Sequence, residues 1–449
     1  MNPSASTSVP PSRSPSAGPV DAVFSKISWR ILPILLISYM IAYLDRVNIG
    51  YAQLQMKQTL PWGEAVYGLG AGIFFLGYFL FEVPSNLLLE RIGARKTLLR
   101  IMVPWGLVAA AMMFVTTPTQ FYVARFLLGV FEAGFFPGII LYFTYWYPSV
   151  RRGQVIAIFM SAAVIVSVVT GPLCGVILKY FNGVNGWHGW QWLFLLQGLP
   201  AVALGVLVYL LLQDKPADAK WLTPAEKNLV RHSLEHDEKD IEGEADATPM
   251  KMLRDPKVWL LSLVYLFLLG ATYTIVFWLP TLIQSWGVKD VLMVGILAAI
   301  PNAVGVAGMI LIGRSSDKLH ERRWHFAASV GIAAIGLWIT TLLQGNLVGS
   351  LIALSFAVIG IAAATPVFFT LVSEYLSAGA AAAGIALISS LGNLGPAVSP
   401  YINGLITQRT GSTVYSMYLV IALYVLAGVI LLISVHAAKG ARQRAAAPA

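Results

Sequence analysis

Apolar residues run along this chain in long unbroken blocks, separated by short polar stretches. A hydrocarbon core about 30 Å thick takes roughly 20 apolar residues in a helix, and the blocks meet or approach that length. Twelve are predicted, near 27–50, 65–89, 98–115, 119–145, 154–178, 191–213, 257–284, 290–313, 325–343, 347–370, 380–407 and 413–436. Strands of a membrane barrel would alternate apolar and polar positions over about ten residues. These blocks are continuous and longer. A helix satisfies its own backbone polar groups inside lipid, so the pattern predicts an all-α membrane protein with twelve transmembrane helices.

One long polar segment, Gln213 to Asp255, divides the helices six and six. It carries eleven acids and seven bases, which reads as a solvated linker with a short amphipathic helix around TPAEKNLVRHSLE. The two halves echo each other. NLLLERIGARK from Asn86 matches GRSSDKLHERR from Gly313, and GPLCG with Pro172 matches SPYING with Pro400, at nearly one offset. This predicts two pseudo-symmetric six-helix bundles, the arrangement in which transporters place a site between repeats. The expected boundaries are a disordered tail at 1–26, bundles at 27–213 and 257–436, a linker at 214–256, and a tail at 437–449.

Composition narrows the function. With 57% hydrophobic and 11% charged residues, the chain lacks the charge to cover a soluble surface. The only cysteine, Cys174, excludes an internal disulfide framework or a cysteine metal cluster. The Ser/Pro-rich first residues hold no cleavable leader, so the first helix is expected to serve as the targeting signal. With the N-terminus placed inside, 24 basic residues fall on the inner side and 4 on the outer. That bias predicts an inner cell membrane protein with both termini cytoplasmic. It also accounts for the formal charge of +9 without nucleic acid. The lipid bilayer is the expected environment, and a monomer is expected. No phosphate-binding glycine loop, metal-spaced His/Cys set or nucleophile elbow appears, so neither an enzyme nor a primary pump is expected, and no cofactor or metal.

Ionisable residues deep in a bilayer are costly and mark function. Asp45 and Arg46 lie in the first block, Arg125 and Glu132 in the fourth, and Glu82 in the second. Asp45 is about 22 Å beyond Arg30 along a helix, and Arg125 about 9 Å in from the outer face. Similar depth on antiparallel helices makes Asp45 and Arg125 a candidate pair. Glu132, two turns beyond Arg125, falls past the midplane on nearly the same face. Asp45 and Arg46 could instead form an interfacial pair with snorkelling side chains. Glu82 reads as part of a gate or loop-anchoring network. Tyr43, Tyr78, Trp278, Asn302 and Asn393 are candidate cavity-wall residues.

The charges suggest a mechanism. Arg46 and Arg125 balance Asp45 and Glu132, so an anion can enter only if negative charge is lost. Protonating a carboxylate does this and frees an arginine to grip a substrate carboxylate. The expected coupling ion is H⁺, one per bound negative charge, with Asp45 and Glu132 as the proton-coupling candidates.

Loop residues ERIGARK and their echo resemble the signature of the major facilitator superfamily. YLDRVNIG, ARFLLGVFEAGFFPG, YWYPSVRRG and AAAAGIALISSLGNLGPAVSPYING resemble its anion:cation symporter family, with its tartrate, sugar-acid and phthalate permeases. The resemblance covers roughly residues 25 to 436. It implies alternating access and proton-coupled import of a small organic anion such as tartrate or a sugar acid. It further implies proton coupling at Asp45 and Glu132, and substrate contact by Arg46 and Arg125, with Tyr43, Tyr78 and Asn393 on the wall. The loop residues Glu90, Arg91, Arg95, Asp317 and Arg322 are the expected gate. The chain departs from the pattern at Asn86, Glu90 and Glu374, and Phe368 and Phe369 make one wall bulky. An aromatic carboxylate is therefore a competing substrate. The same residues also admit antiport, or a membrane sensor of the same fold that does not transport.

Overall fold

The apolar blocks become helices of membrane-crossing length. A computed structural model describes residues 18–242, 255–376 and 378–445. The first half comprises α1 (Pro19–Val47), α2 (Ile49–Thr59), α3 (Glu64–Ile92), α4 (Ala94–Ala111), α5 (Pro118–Glu132), α6 (Phe135–Trp146), α7 (Ser149–Tyr180) and α8 (Gly189–Leu211). A linker helix, α9 (Pro224–Glu242), follows. The second half comprises α10 (Pro256–Ser285), α11 (Val291–Leu319), α12 (Arg323–Leu342), α13 (Leu347–Tyr375), α14 (Ala378–Gly392), α15 (Leu394–Thr410) and α16 (Thr413–Ala445). No strand occurs among the described residues.

Eleven stretches of the described residues are long and apolar enough to cross a membrane. The remaining predicted span, 380–407, is α14 and α15 in succession, each too short alone. Asn393 between them keeps right-handed helical dihedrals (φ −62°, ψ −16°), so the two continue as one crossing. Asn48 joins α1 to α2 in the same way (φ −59°, ψ −29°), which carries the first span to Thr59. The fourth span has a true break. Gly134 adopts φ +85°, a left-handed conformation that side chains disfavour, and α5 stops two residues before it, at Glu132.

One expected boundary needs correction. Residues 19–26, assigned to a disordered tail, form the first turns of α1, because Val23 and Phe24 bury themselves in the core. Residues 1–17 lie outside the described ones. α16 continues as helix through residues 437–445 of the expected tail, beyond the apolar stretch that ends at Ser434. The linker is less solvated than its charge suggested. Trp221 stacks on Trp146 at 5.9 Å with rings nearly parallel, Val230 is buried, and Lys26 pairs with Glu226 at 2.9 Å. Residues 243–254 lie outside the described ones.

Within the first half, α4 packs along α8 and α3 along α5; in the second, α13 packs between α11 and α12. The halves meet along two seams, α3 with α15 and α7 with α11. Both seams close the end opposite the arginine-rich loops, and small residues make them tight. A Cβ at Gly68 would lie 2.3 Å from the Pro400 carbonyl oxygen, and one at Gly171 2.3 Å from that of Gly295. Without a hydrophobic drive between helices in lipid, such close backbone contact is what joins them. Polar links reinforce the seal: Gln53 Nε2 donates to the Phe277 carbonyl at 2.8 Å, and Lys179 pairs with Asp290 at 2.5 Å.

Candidate functional site

Asp45 and Arg46 are neighbours on α1, so their side chains leave the helix about 100° apart. Asp45 turns into the first half. Its Oδ2 accepts from Trp105 Nε1 at 2.7 Å and its Oδ1 from Asn48 Nδ2 at 3.1 Å. Asn48 Nδ2 also donates to Gln197 Oε1 at 2.8 Å, and Gln197 Nε2 to Cys174 Sγ at 3.5 Å. One polar chain thus ties α1 to α4, α8 and α7.

Arg46 points the other way, towards the second half. Its Nη2 donates to Glu132 Oε1, and its Nη1 to the Tyr273 hydroxyl of α10 at 3.3 Å. Its guanidinium carbon lies 5.6 Å from the Phe74 ring centre and 5.4 Å from that of Tyr78. Arg125 approaches the same Phe74 ring, at 5.0 Å, and its Nε donates to the Gly70 carbonyl at 3.0 Å. Glu132 is fully buried and is the last residue of α5, two residues before Gly134. Its carboxylate therefore sits at the negative end of a helix dipole, which makes the Arg46 guanidinium its principal stabiliser.

This revises the expected pairing. Asp45 and Arg125 make no ion pair, although they remain within electrostatic reach; the ion pair in the interior is Arg46–Glu132. Equal depth brought the helices level, but rotation aims Asp45 at Trp105. Three polar atoms around Phe74 are buried without a hydrogen-bond partner: Arg125 Nη2, Glu132 Oε2 and Arg46 Nε. The two N–H groups, on guanidiniums that share the Phe74 ring, are donors from which a carboxylate can accept. Among the described residues no three His, Cys, Asp or Glu side chains are grouped to hold a metal ion.

Of the predicted wall residues, Tyr78 is buried against Arg46, and Tyr43 lies half-buried one turn before Val47. Asn393 sits at the α14–α15 junction, and no hydrogen bond joins it to the cluster. Trp278 is buried in α10, while Asn302 spends its amide on the Ala298 carbonyl. Phe368 is a correction: it packs inside the second half, stacked on Tyr265 at 5.2 Å, and adds no bulk to the site. Four contributors escaped the sequence reading: Phe74, Tyr273, Trp105 and Asn48.

The predicted gate is assembled in one half only. Arg322 bonds Asp317 at 2.8 Å and Glu374 at 2.9 Å. These carboxylates hold the Arg322 guanidinium above its ordinary value, the hydrogen bond to Glu374 first. In the first half Arg95 instead donates to the Tyr209 carbonyl at 2.9 and 2.6 Å, and its backbone N–H to Asp214. Glu90 and Arg91 are exposed and join no ion pair among the described residues. Glu82 is half-buried one turn beyond Tyr78, with Oε2 unpartnered, so it belongs to the interior more than to a loop network.

Two helical halves sealed at one end, with a charged cluster at their interface, define a multi-pass membrane transporter rather than an enzyme. A family model described as Major Facilitator Superfamily matches residues 35–400. The chain belongs to that superfamily. It is 45% identical over 414 residues to a Pseudomonas putida protein provisionally named metabolite transport protein NicT, covering 90% of this chain and 94% of the relative. It is 44% identical over 411 residues to an Agrobacterium vitis protein provisionally named a tartrate transporter, covering 92% and 94%. Both agree with the resemblance to anion:cation symporters. Among solved structures, a bacterial homologue of the lysosomal transporter Spinster superposes with a TM-score of 0.73 at 17% identity, covering 90% of this chain and 96% of that one.

Proposed function

We propose that the protein imports a small organic carboxylate together with protons, by alternating access, with its arginine-rich loops on the cytoplasmic side of the cell membrane. The observation that carries this reading is the Arg46–Glu132 pair beside the unpartnered Arg125 Nη2. With Asp45 ionised as well, the cluster is neutral, and an added carboxylate would leave an uncompensated charge in a low dielectric. Protonating Glu132 removes that charge and frees Arg46. Arg46 and Arg125, flanking Phe74, then present donors to one carboxylate, where a planar fork is the strong geometry. Release to the cytoplasm returns Arg46 to Glu132 as the proton leaves.

Two substrate classes fit. The Agrobacterium relative's name supports tartrate or a sugar acid. The aromatic lining favours an aromatic acid: Phe74, Tyr78 and Tyr273 surround the guanidiniums, and Tyr39 stacks with Phe159 at 4.6 Å nearby. Uptake into proteoliposomes under an imposed pH gradient tests both. Tartrate, a sugar acid and hydroxybenzoate-type acids are supplied in turn, and external alkalinisation is followed. Accumulation with proton entry is expected for one class. Uptake of neutral sugars or cations only, or acidification during uptake, would overturn the reading.

A further inference from the structure

A cavity lies apart from the charged cluster. It measures about 710 Å³, between the first turns of α1 and the first turns of α7. Its walls are mostly apolar, including Leu32, Pro33 and Ile37 of α1 and Ile158 of α7. Trp29, also on its wall, is 80% exposed.

The cavity opens to the bilayer. Ile158, Ile165, Val169 and Val176 form one stripe along α7, spaced by seven, four and seven residues, and each is 40–48% exposed. The stripe continues alongside Gly171 and Gly175, whose own side of α7 is sealed against α11. It therefore faces lipid, and the groove at its near end shares that side. A groove open to hydrocarbon and lined along its length by apolar groups offers water few partners and suits an acyl chain.

The rim selects which lipid. Asp21 and Arg151 pair across the mouth, and the Arg151 guanidinium stands 4.8 Å over the Phe24 ring. Asp21 is about half exposed, so both charges are open to a headgroup. An acid and a base side by side complement a zwitterion better than a net anion. The guanidinium suits a phosphate, and the carboxylate suits a cation that carries N–H donors. From Asp21 to Ile37 is sixteen residues, about 24 Å of helix, which matches a headgroup plus one leaflet's depth.

We propose that this groove binds one aminophospholipid of the leaflet at the arginine-rich end. Asp21 takes its primary ammonium, Arg151 its phosphate, and one acyl chain lies between α1 and α7. A choline headgroup has no N–H for Asp21, and a glycerol headgroup offers no cation.

Native mass spectrometry of the full-length, delipidated protein tests this. It is titrated with phosphatidylethanolamine, phosphatidylcholine and phosphatidylglycerol of identical chains. One phosphatidylethanolamine is expected to be retained several-fold more than either other lipid. Asp21→Asn should erase the preference over phosphatidylcholine, Arg151→Gln should weaken retention of all three, and Ile158→Trp should block the groove. Thermal melts of each variant establish that it is folded, and Arg151→Lys should keep partial binding. Equal retention of the three lipids, a preference for phosphatidylglycerol, or an unchanged preference in folded Asp21→Asn would overturn the assignment.

Discussion

Arg46 holds Glu132 with one guanidinium nitrogen and the Tyr273 hydroxyl with another, so one side chain joins α1 to α5 in its own half and to α10 across the interface. The bond to the carboxylate stays within the first half, while the bond to the phenol must change when the halves move. Removing one partner of a buried ion pair leaves the other uncompensated, at about 3–5 kcal/mol. Neither residue can therefore change state silently.

Replacing the acid by its neutral isostere separates binding from coupling. Glu132→Gln mimics the protonated state and leaves Arg46 free. Substrate binding and exchange are expected to persist, while accumulation driven by a pH gradient falls at least about tenfold, a difference of about 1.4 kcal/mol. Counterflow and gradient-driven uptake in the same proteoliposomes measure the two. Full gradient-driven accumulation would remove Glu132 from the coupling role.

The two arginines should not tolerate lysine. Lysine keeps the charge but lacks the planar fork that lets Arg46 reach Glu132 and Tyr273 at once. Arg46→Lys and Arg125→Lys are each expected to weaken substrate binding by about 2–5 kcal/mol, the range for a truncated buried charge contact. Thermal-shift titration reads this directly, since a ligand of the folded state raises its apparent stability. Unchanged affinity in Arg125→Lys would show that Arg125 serves only to hold the Gly70 carbonyl.

Backbone contact at the closed end makes a steric prediction. A side chain at Gly171 would meet the Gly295 carbonyl oxygen at 2.3 Å, so Gly171→Val should pry α7 from α11. The population should shift towards forms open at that end. Labelling of Ala397→Cys by a membrane-impermeant reagent, in a Cys174→Ser background, should speed up. Unaltered labelling would mean the seam yields without opening.

Acidity should leave the link at the closed end untouched. Asp290 is held below its ordinary value by the Lys179 hydrogen bond first and the Leu292 backbone N–H second. A depressed carboxyl contributes fully above its ordinary value of 3.8 and loses that contribution only as pH falls through its lower, folded value. Between about pH 5 and 8 the Lys179–Asp290 link is thus constant. Asp290→Asn is expected to leave the shape of the uptake–pH profile unchanged, whereas Glu132→Gln flattens it. A profile that Asp290→Asn flattens would move the pH sensitivity to the seal.

The fold was legible because lipid enforces it: each crossing must be apolar, long and helical, and the blocks announce that. The start of α1 was hidden because Ser/Pro-rich residues run up to Pro19, directly before the apolar Val23 and Phe24. Depth along a helix could be counted, so Asp45, Arg46, Arg125 and Glu132 were found. Rotation about the helix could not, and rotation decides that Glu132 meets Arg46 while Asp45 meets Trp105. Phe74 and Tyr273 were unreadable for another reason: in a chain with 12% aromatic residues, neither carries a mark that distinguishes it. The repeated loops show the limit of symmetry. Arg322 pairs with Asp317, yet the equivalent Arg95 turns to Tyr209 and leaves Glu90 in solvent.

The chain of bonds from Asp45 through Trp105, Asn48 and Gln197 pins the C-terminal end of α1 to three other helices of its own half. Arg46, one residue on, has no freedom to travel separately from that block. In the proposed cycle the grip on the carboxylate is consequently bolted to one half, and the part that swings past it is the opposite wall that bears Tyr273.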